Sequence, residues 1–578
     1  MPHAGAWETQ PAEESPVAMT ATARRFVAAC ALALSAVAAH AAPAPPPKLV
    51  VVLVVDQMRG DFIARYGSQW TGGLRRLVDG GAWFSRAAYP YLATVTCVGH
   101  ATVSTGAFPR THGIVGNSWF DRESGRSVGC SADPRLATIS YAAPAEGGQG
   151  PWRLQTATLA DELRTQLPVP ARVVTMSLKE RTAIMLAGHR ADAVTWFSAA
   201  AGGLVTSSAY TSAPVPFVAA FAKANPVSAD LGRVWTRTLP AERFLFADAG
   251  RGEKPPPFWS AEFPHPLNGK DGTADAQFFE AWASSPFADD YLGRLAIASV
   301  DALKLGQGPG TDFLGVSFSA LDLVGHDFGP TSHEVQDTLV RLDRTIGALL
   351  AHLDRTVGAG NYVVALTADH GAAPIPEQAA ALGVDAGRLD VALVRQAAQT
   401  ALEAVLGSGA ATVRSQYGDL ILDPAAAEML RRNPRAADDV LRAINAVPGV
   451  GAAFVAEQLP THAAAGDPDA RAALLSYYPG RSGDLIVLPK PYWFFVTADG
   501  SPQPGSATTH GTMYGYDQLV PIILYGRGIK PGEYMRPVTP ADIAPTLAYL
   551  SGVTLAHAEG DVLTEALAPA APAARQGR

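Results

Sequence analysis

Residues 49–55 read LVVVLVV, seven valines and leucines with no polar break. A strand with one wet face alternates apolar and polar side chains. An unbroken run belongs in a sheet covered on both faces, the usual setting of parallel strands. Asp56 follows at once. That places a carboxylate at the carboxyl end of a central strand, where open α/β sheets hold their ligands.

The same pattern recurs along the chain. Residues 172–178 (RVVTMSL), 313–320, 362–366 and 521–525 (PIILY) read as further core strands, and 192–197 and 204–207 as short ones. Between them lie helical segments. Leu74, Leu77 and Val78 mark one that closes at Gly80 and Gly81, and Leu159 and Leu163 mark another over 155–167. Val335, Leu339, Leu342, Ile346, Leu349 and Leu353 recur at helical spacing over 334–353. Strand, helix and strand in alternation predict an α/β fold, a doubly wound and mostly parallel sheet.

Two stretches break the rhythm. Residues 210–290 are rich in Pro, Trp and Phe without clear periodicity and read as an irregular excursion. Beyond 372, alanine-rich helices near 391–405 and 425–444 alternate with short strands at 419–422 and 484–488, the pattern of an inserted, smaller α+β cap. The aromatic run Tyr492, Trp493, Phe494 and Phe495 is expected in the core of that cap. A last helix is expected over 542–550.

At the amino end, Arg24 and Arg25 precede an apolar run over 26–39 and then Ala39-His40-Ala41, the layout of a secretory leader. The run is short for a membrane span. Met19 is an alternative start. The expected division is therefore a signal peptide over 1–41, the first part of a catalytic α/β domain over 42–371, the cap over 372–504, completion of the catalytic domain over 505–565 and a disordered tail over 566–578. The chain is expected in the periplasm or secreted, with no stable membrane anchor after leader removal. Of three cysteines, Cys30 leaves with the leader. Cys97 and Cys130 either bridge or stand as two small unpaired residues. A formal net charge of −8 supplies no broad basic field, which argues against a nucleic-acid partner. An anionic substrate then needs a local positive site.

Candidate chemistry centres on residues 91–108, YLATVTCVGHATVSTGAF, where Thr96 opens a short helix. A threonine hydroxyl is a poor nucleophile unless a base or metal removes its proton. Asp56, Asp322, His326, Asp369, His370 and His510 are the residue types a catalytic metal site uses. Asp322 and His326 are four apart, so a helical turn aims both one way. Asp369 and His370 sit where a strand ends. Two sets of three can be drawn: Asp322, His326 and His510, and Asp56, Asp369 and His370. Each piece also has an ordinary reading as a helix cap, a turn or a surface pair. Spacing leaves these alternatives open.

The order Asp56, Thr96, Asp322 with His326, Asp369-His370 and His510 resembles the alkaline phosphatase superfamily, in particular its threonine-nucleophile, PafA-like phosphate monoesterases. The likeness runs from VVLVVDQMRGD (51–61) through HGIVGN (112–117) to TPADIAPTLAYLSG (539–552). It implies two zinc ions per chain, one held by Asp322, His326 and His510 and the other by Asp56, Asp369 and His370. Thr96 then lies beside the second ion as attacking oxygen and further ligand. It also implies a transient phosphothreonine and a phosphoryl pocket built by Asn117, Lys179 and Arg181, the last two flanking Glu180. The expected substrates are small-molecule phosphate esters, monoesters first, because a dianionic group rewards extra cationic donors. The alternative is a nucleotide phosphodiesterase or pyrophosphatase on the same fold. A sulfatase is disfavoured, since C/S-x-P-x-R does not occur around Thr96. A binding module that has lost its chemistry is opposed by the retained ligand set. His100 and Cys97 are expected to pack around Thr96. The oligomeric state stays open.

Overall fold

Alternate side chains of the strand Leu49–Val55 enter two separate apolar clusters, Leu49, Val51, Leu53 and Val55 in one and Val50, Val52 and Val54 in the other. All seven are buried, so the strand is covered on both faces as its unbroken apolar run requires. The computed structural model describes residues 45–407, 409, 413–496 and 506–569. The expected leader over 1–41, and the part of the expected tail beyond 569, lie outside these residues.

Leu49–Val55 is the fifth strand of a ten-stranded sheet. From one edge the order is Gly532–Tyr534, Ala82–Phe84, Ile522–Gly526, Tyr362–Thr367, Leu49–Val55, Asp312–Phe318, Val173–Ser177, Ala193–Ser198, Gly203–Ser207 and Thr138–Ser140. The five from Tyr362–Thr367 to Ala193–Ser198 are parallel, with Val52 level with both Gly315 and Ala365. Antiparallel strands flank them on both sides. The sheet is thus mixed and mostly parallel, with helices on both faces, the α/β arrangement expected from the sequence.

The long helix His333–Leu353 buries Val335, Leu339, Leu342, Ile346, Leu349 and Leu353 in the first cluster, the stripe its spacing predicts. Ile543, Ala544 and Leu547 of the helix Ile543–Ser551 lie in the second. Burial of such stripes, at about 25 cal/mol per Å2 of apolar surface, is the main favourable term holding the layers.

The excursion differs from its expectation. Residues 210–290 contain the helices Pro216–Ala224 and Ala276–Ala283 and the start of Pro286–Leu303. Their aromatic residues hide the period because many of them pack around one another, as Trp235 does against Trp259, Phe263 and His265. Residues 376–496 carry a four-stranded sheet, Val413–Gln416, Asp419–Leu422, Leu485–Pro489 and Val450–Val455, with its own apolar cluster. The helix expected over 425–444 is two, Pro424–Arg432 and Pro434–Asn445. Pro434 has no amide hydrogen and cannot continue the first. Of the aromatic run, Phe494 and Phe495 are buried, whereas Tyr492 is exposed. The start of the expected tail is packed, not frayed: Ala566 is buried, Leu567 bridges Ile529 and the Ala568 amide donates to the Gly528 carbonyl. Among the described residues no helix is long and apolar enough to cross a membrane.

Candidate active site

Strand ends deliver the polar groups. Asp56 ends the central strand, and its amide donates to the Phe318 carbonyl next door. Asp369 and His370 follow Tyr362–Thr367, and Lys179 and Arg181 follow Val173–Ser177. Asp322 and His326 stand one turn apart on the helix Ala320–Phe328, with 3.3 Å between His326 Nε2 and an Asp322 oxygen. His510 arrives from the distant loop before Ile522–Gly526, and its Nδ1 lies 2.9 Å from the Thr94 carbonyl.

Thr96 is the first residue of the buried helix Thr96–Thr105, and its Oγ1 lies 3.4 Å from His370 Nε2. Gly99 lets that helix approach the strand end, because a Cβ there would stand 2.2 Å from the Asp369 carbonyl oxygen. Ligand atoms of Asp322, His326 and His510 lie within 4.8 Å of one another, and so do those of Asp56, Asp322 and His370. The first trio is the one drawn from the sequence. In the second, Asp322 takes the place assigned to Asp369, whose carboxylate remains close, 3.4 Å from His370 Nε2. Lys179 Nζ spans the two halves, 2.6 Å from Asp56 Oδ2 and 2.5 Å from Asp322 Oδ2.

The electrostatics fit a cation site. Burial pushes the Asp56 carboxyl up to about 8, reinforced by Asp322 and Asp369. Burial would also raise Asp322, but Lys179, His326 and His510 hold it well below the usual range. For Asp369 the same penalty is overcome by His370 and His100. Burial lowers His510, aided by His370, whereas Asp322 carries His326 against its burial up to about 9. Lys179 is raised despite burial by Asp322 and Asp56. Asp56 Oδ1 is buried without a hydrogen-bond partner among the described residues, and Asp369 Oδ2 faces His100 Nδ1 at 3.2 Å. A buried carboxylate oxygen with no donor is costly, and a divalent cation answers that need.

Of the phosphoryl candidates, Lys179 touches Asp56 and Asp322, and Asn117 borders the start of the Thr96 helix. Asn117 Oδ1 accepts from the Cys97 amide at 2.8 Å, which brings it beside Thr96. Arg181 touches Glu180 at 3.3 Å, and its Nε has no hydrogen-bond partner among the described residues. His100 packs under Thr96 with Nδ1 2.8 Å from the Thr96 carbonyl and 3.2 Å from Asp369 Oδ2. Cys97 is not a lone space-filler: it forms a disulfide with Cys130.

Gln57 was invisible in the sequence. It is buried with a left-handed φ of 68°, its amide donating to Asp369 Oδ1 at 3.2 Å and its Nε2 to Asp322 Oδ1 at 2.7 Å. Gly325 makes room, since a Cβ there would stand 1.8 Å from Gln57 Oε1. Adjacency to Asp56 was the one available signal.

Residues 50–517 match the family described as type I phosphodiesterase / nucleotide pyrophosphatase. Alkaline phosphatase PafA of Elizabethkingia meningoseptica is 31% identical over 531 residues, 90% of this chain and 94% of that one. Alkaline phosphatase PhoV of Synechococcus elongatus is 30% identical over 541 residues, 90% and 93% of the two chains. The crystal structure of wild-type PafA superposes with a TM-score of 0.80 at 30% identity, over 91% of this chain and 100% of that one. The chain therefore belongs to the type I phosphodiesterase / nucleotide pyrophosphatase family, among its PafA-like alkaline phosphatases, and is a phosphoric ester hydrolase.

Proposed function

We propose that this hydrolase is an exported, metal-dependent alkaline phosphatase that cleaves phosphate monoesters through a phosphothreonine on Thr96. The observation that carries the reading is that ligand atoms of Asp322, His326 and His510, and those of Asp56, Asp322 and His370, gather within 4.8 Å of one another, with His370 Nε2 3.4 Å from the Thr96 hydroxyl and Lys179 between the carboxylates.

In this reading Asp322, His326 and His510 would hold one zinc ion, and Asp56, Asp369 and His370 would hold the other. Two bound cations supply positive charge to the attacking and leaving oxygens of an in-line displacement. Thr96 Oγ1 attacks phosphorus as the ester P–O bond breaks, and the alcohol departs with a proton. Water then cleaves the phosphothreonine, releasing phosphate and restoring the hydroxyl. The aligned amides of the Thr96–Thr105 helix favour the anion at its amino end. Asn117, Lys179 and Arg181 bind the oxygens that do not react. Two cations and an amide suit a dianionic phosphoryl group better than the singly charged diester.

Residues 372–504 would act as a cap beside this site, and the two catalytic segments, 42–371 and 505–565, would make one domain around it. The Cys97–Cys130 disulfide supports an oxidising compartment, in keeping with a leader over 1–41 and a periplasmic or secreted destination. A phosphodiesterase or pyrophosphatase activity is the second reading, favoured by the family description matched over 50–517. Turnover of an aryl phosphate monoester and the matching diester separates the two. The monoester is expected to be the better substrate by kcat/KM; a diester preference would overturn the first reading.

A further inference from the structure

Asn117 is held by two backbone amides, and both belong to cysteines. The Cys97 amide donates to its side-chain Oδ1 at 2.8 Å, and the Cys130 amide donates to its main-chain carbonyl at 2.9 Å. Cys97 and Cys130 are themselves joined by the buried disulfide. Cys97 is the residue after Thr96. Cys130 directly follows the hairpin of Ser118–Asp121 and Arg126–Gly129, which begins one residue after Asn117. The bridge therefore pins both sides of Asn117 to the first turn of the helix that Thr96 opens.

This matters for which end of the carboxamide faces the substrate. An amide donor from Cys97 holds Oδ1 toward the helix, so the Nδ2 hydrogens are the end left to donate. Anion binding needs that end. A carboxamide free to rotate would offer its oxygen, a repulsive partner, for part of the time.

We infer that the Cys97–Cys130 disulfide is a positioning device that holds the Asn117 Nδ2 donor toward the transferred phosphoryl group, an inference that rests on the role proposed above for Asn117. Its work is specific to that one contact. Losing the bridge costs what losing the Asn117 donor costs, and the two losses do not accumulate.

The test compares Asn117→Ala, the double variant Cys97→Ala/Cys130→Ala and the triple variant on an aryl phosphate monoester, with inorganic phosphate as competitive inhibitor. Losing one hydrogen bond to a charged group should lower kcat/KM about 10- to 100-fold in Asn117→Ala. A similar fall is expected in the double variant, no further fall in the triple, and a parallel rise in the phosphate inhibition constant in all three. Wild-type values in the double variant, or effects that multiply in the triple, would overturn the inference. Where the double variant does not fold, folded wild type is reduced with a phosphine reductant and its free thiols counted. Reduced, still folded enzyme with an unchanged phosphate inhibition constant overturns the inference, and a raised constant supports it. A wild type inactive on monoesters, or Asn117→Ala at wild-type rate, instead removes the functional reading itself and the inference with it.

Discussion

Gln57 shows how one residue can tie a site together without any mark in the sequence. Its left-handed backbone lets one amide reach Asp369 while its side chain reaches Asp322, so two candidate ligands from different elements share one support. No local pattern announces such a residue, because its conformation is imposed by contacts that exist only in the folded chain. Asp56, Asp322, His326, His370 and His510 were legible as candidates through their order along the chain, which carries the family resemblance; spacing alone left helix-cap, turn and surface readings open. Thr96 carries the strongest single prediction: Thr96→Ala should fold normally and lose about a thousandfold or more in kcat on a monoester, measured by initial rates beside a melting curve. Lys179→Ala and Arg181→Ala should each lower kcat/KM on an aryl monoester by about tenfold or more. The loss on the matching diester should be much smaller. Equal losses on both substrates would mean that these cations serve the fold or the metal ligands, not the dianion.

Helix and strand identity was readable wherever a single apolar period ran unopposed, as in Leu49–Val55 and His333–Leu353. It failed where packing is local and aromatic, in the excursion over 210–290. There His265 and Glu334 meet in a buried contact of 2.8 Å that no spacing announces. Burial, with Glu253 and Asp248 nearby, raises Glu334 from 4.5 to about 9, and burial beside Arg237 lowers His265 to about 4. Burial thus favours the neutral form of each partner. The folded chain keeps a proton on Glu334 that the unfolded chain has released between pH 4.5 and about 9, so this group lowers stability as pH rises through that window. Melting temperature against pH should accordingly fall less steeply in Glu334→Gln than in wild type, and parallel curves would contradict the assignment. The approach of the Thr96–Thr105 helix to Asp369 is tested at Gly99. Its alanine variant meets backbone at 2.2 Å, and should lose about 1–3 kcal/mol of stability together with activity.

Across the molecule, chain order and spatial order diverge. His510 is more than a hundred residues from Asp369 in sequence, yet its ring stacks on His370 with centroids 3.5 Å apart. The intervening residues 376–496 build a sheet and core cluster of their own, so the parallel sheet receives its antiparallel strand Ile522–Gly526 only after that excursion. The return of a PIILY run late in the chain was the readable sign of this arrangement. Asn117 and a candidate Cys97–Cys130 bridge were both named from the sequence, but the two amide hydrogen bonds that join them were not, because they exist only in the folded chain. Removing divalent metal with a chelator should abolish turnover while the far-ultraviolet circular dichroism stays folded, and added zinc should restore it. The most direct measurement is peptide mapping by mass spectrometry after acid quench of the enzyme turning over a phosphate monoester. Phosphate on the Thr96 peptide, absent in Thr96→Ala, is the expected result. Steady turnover with that peptide unmodified, or with phosphate on another residue, would contradict the account.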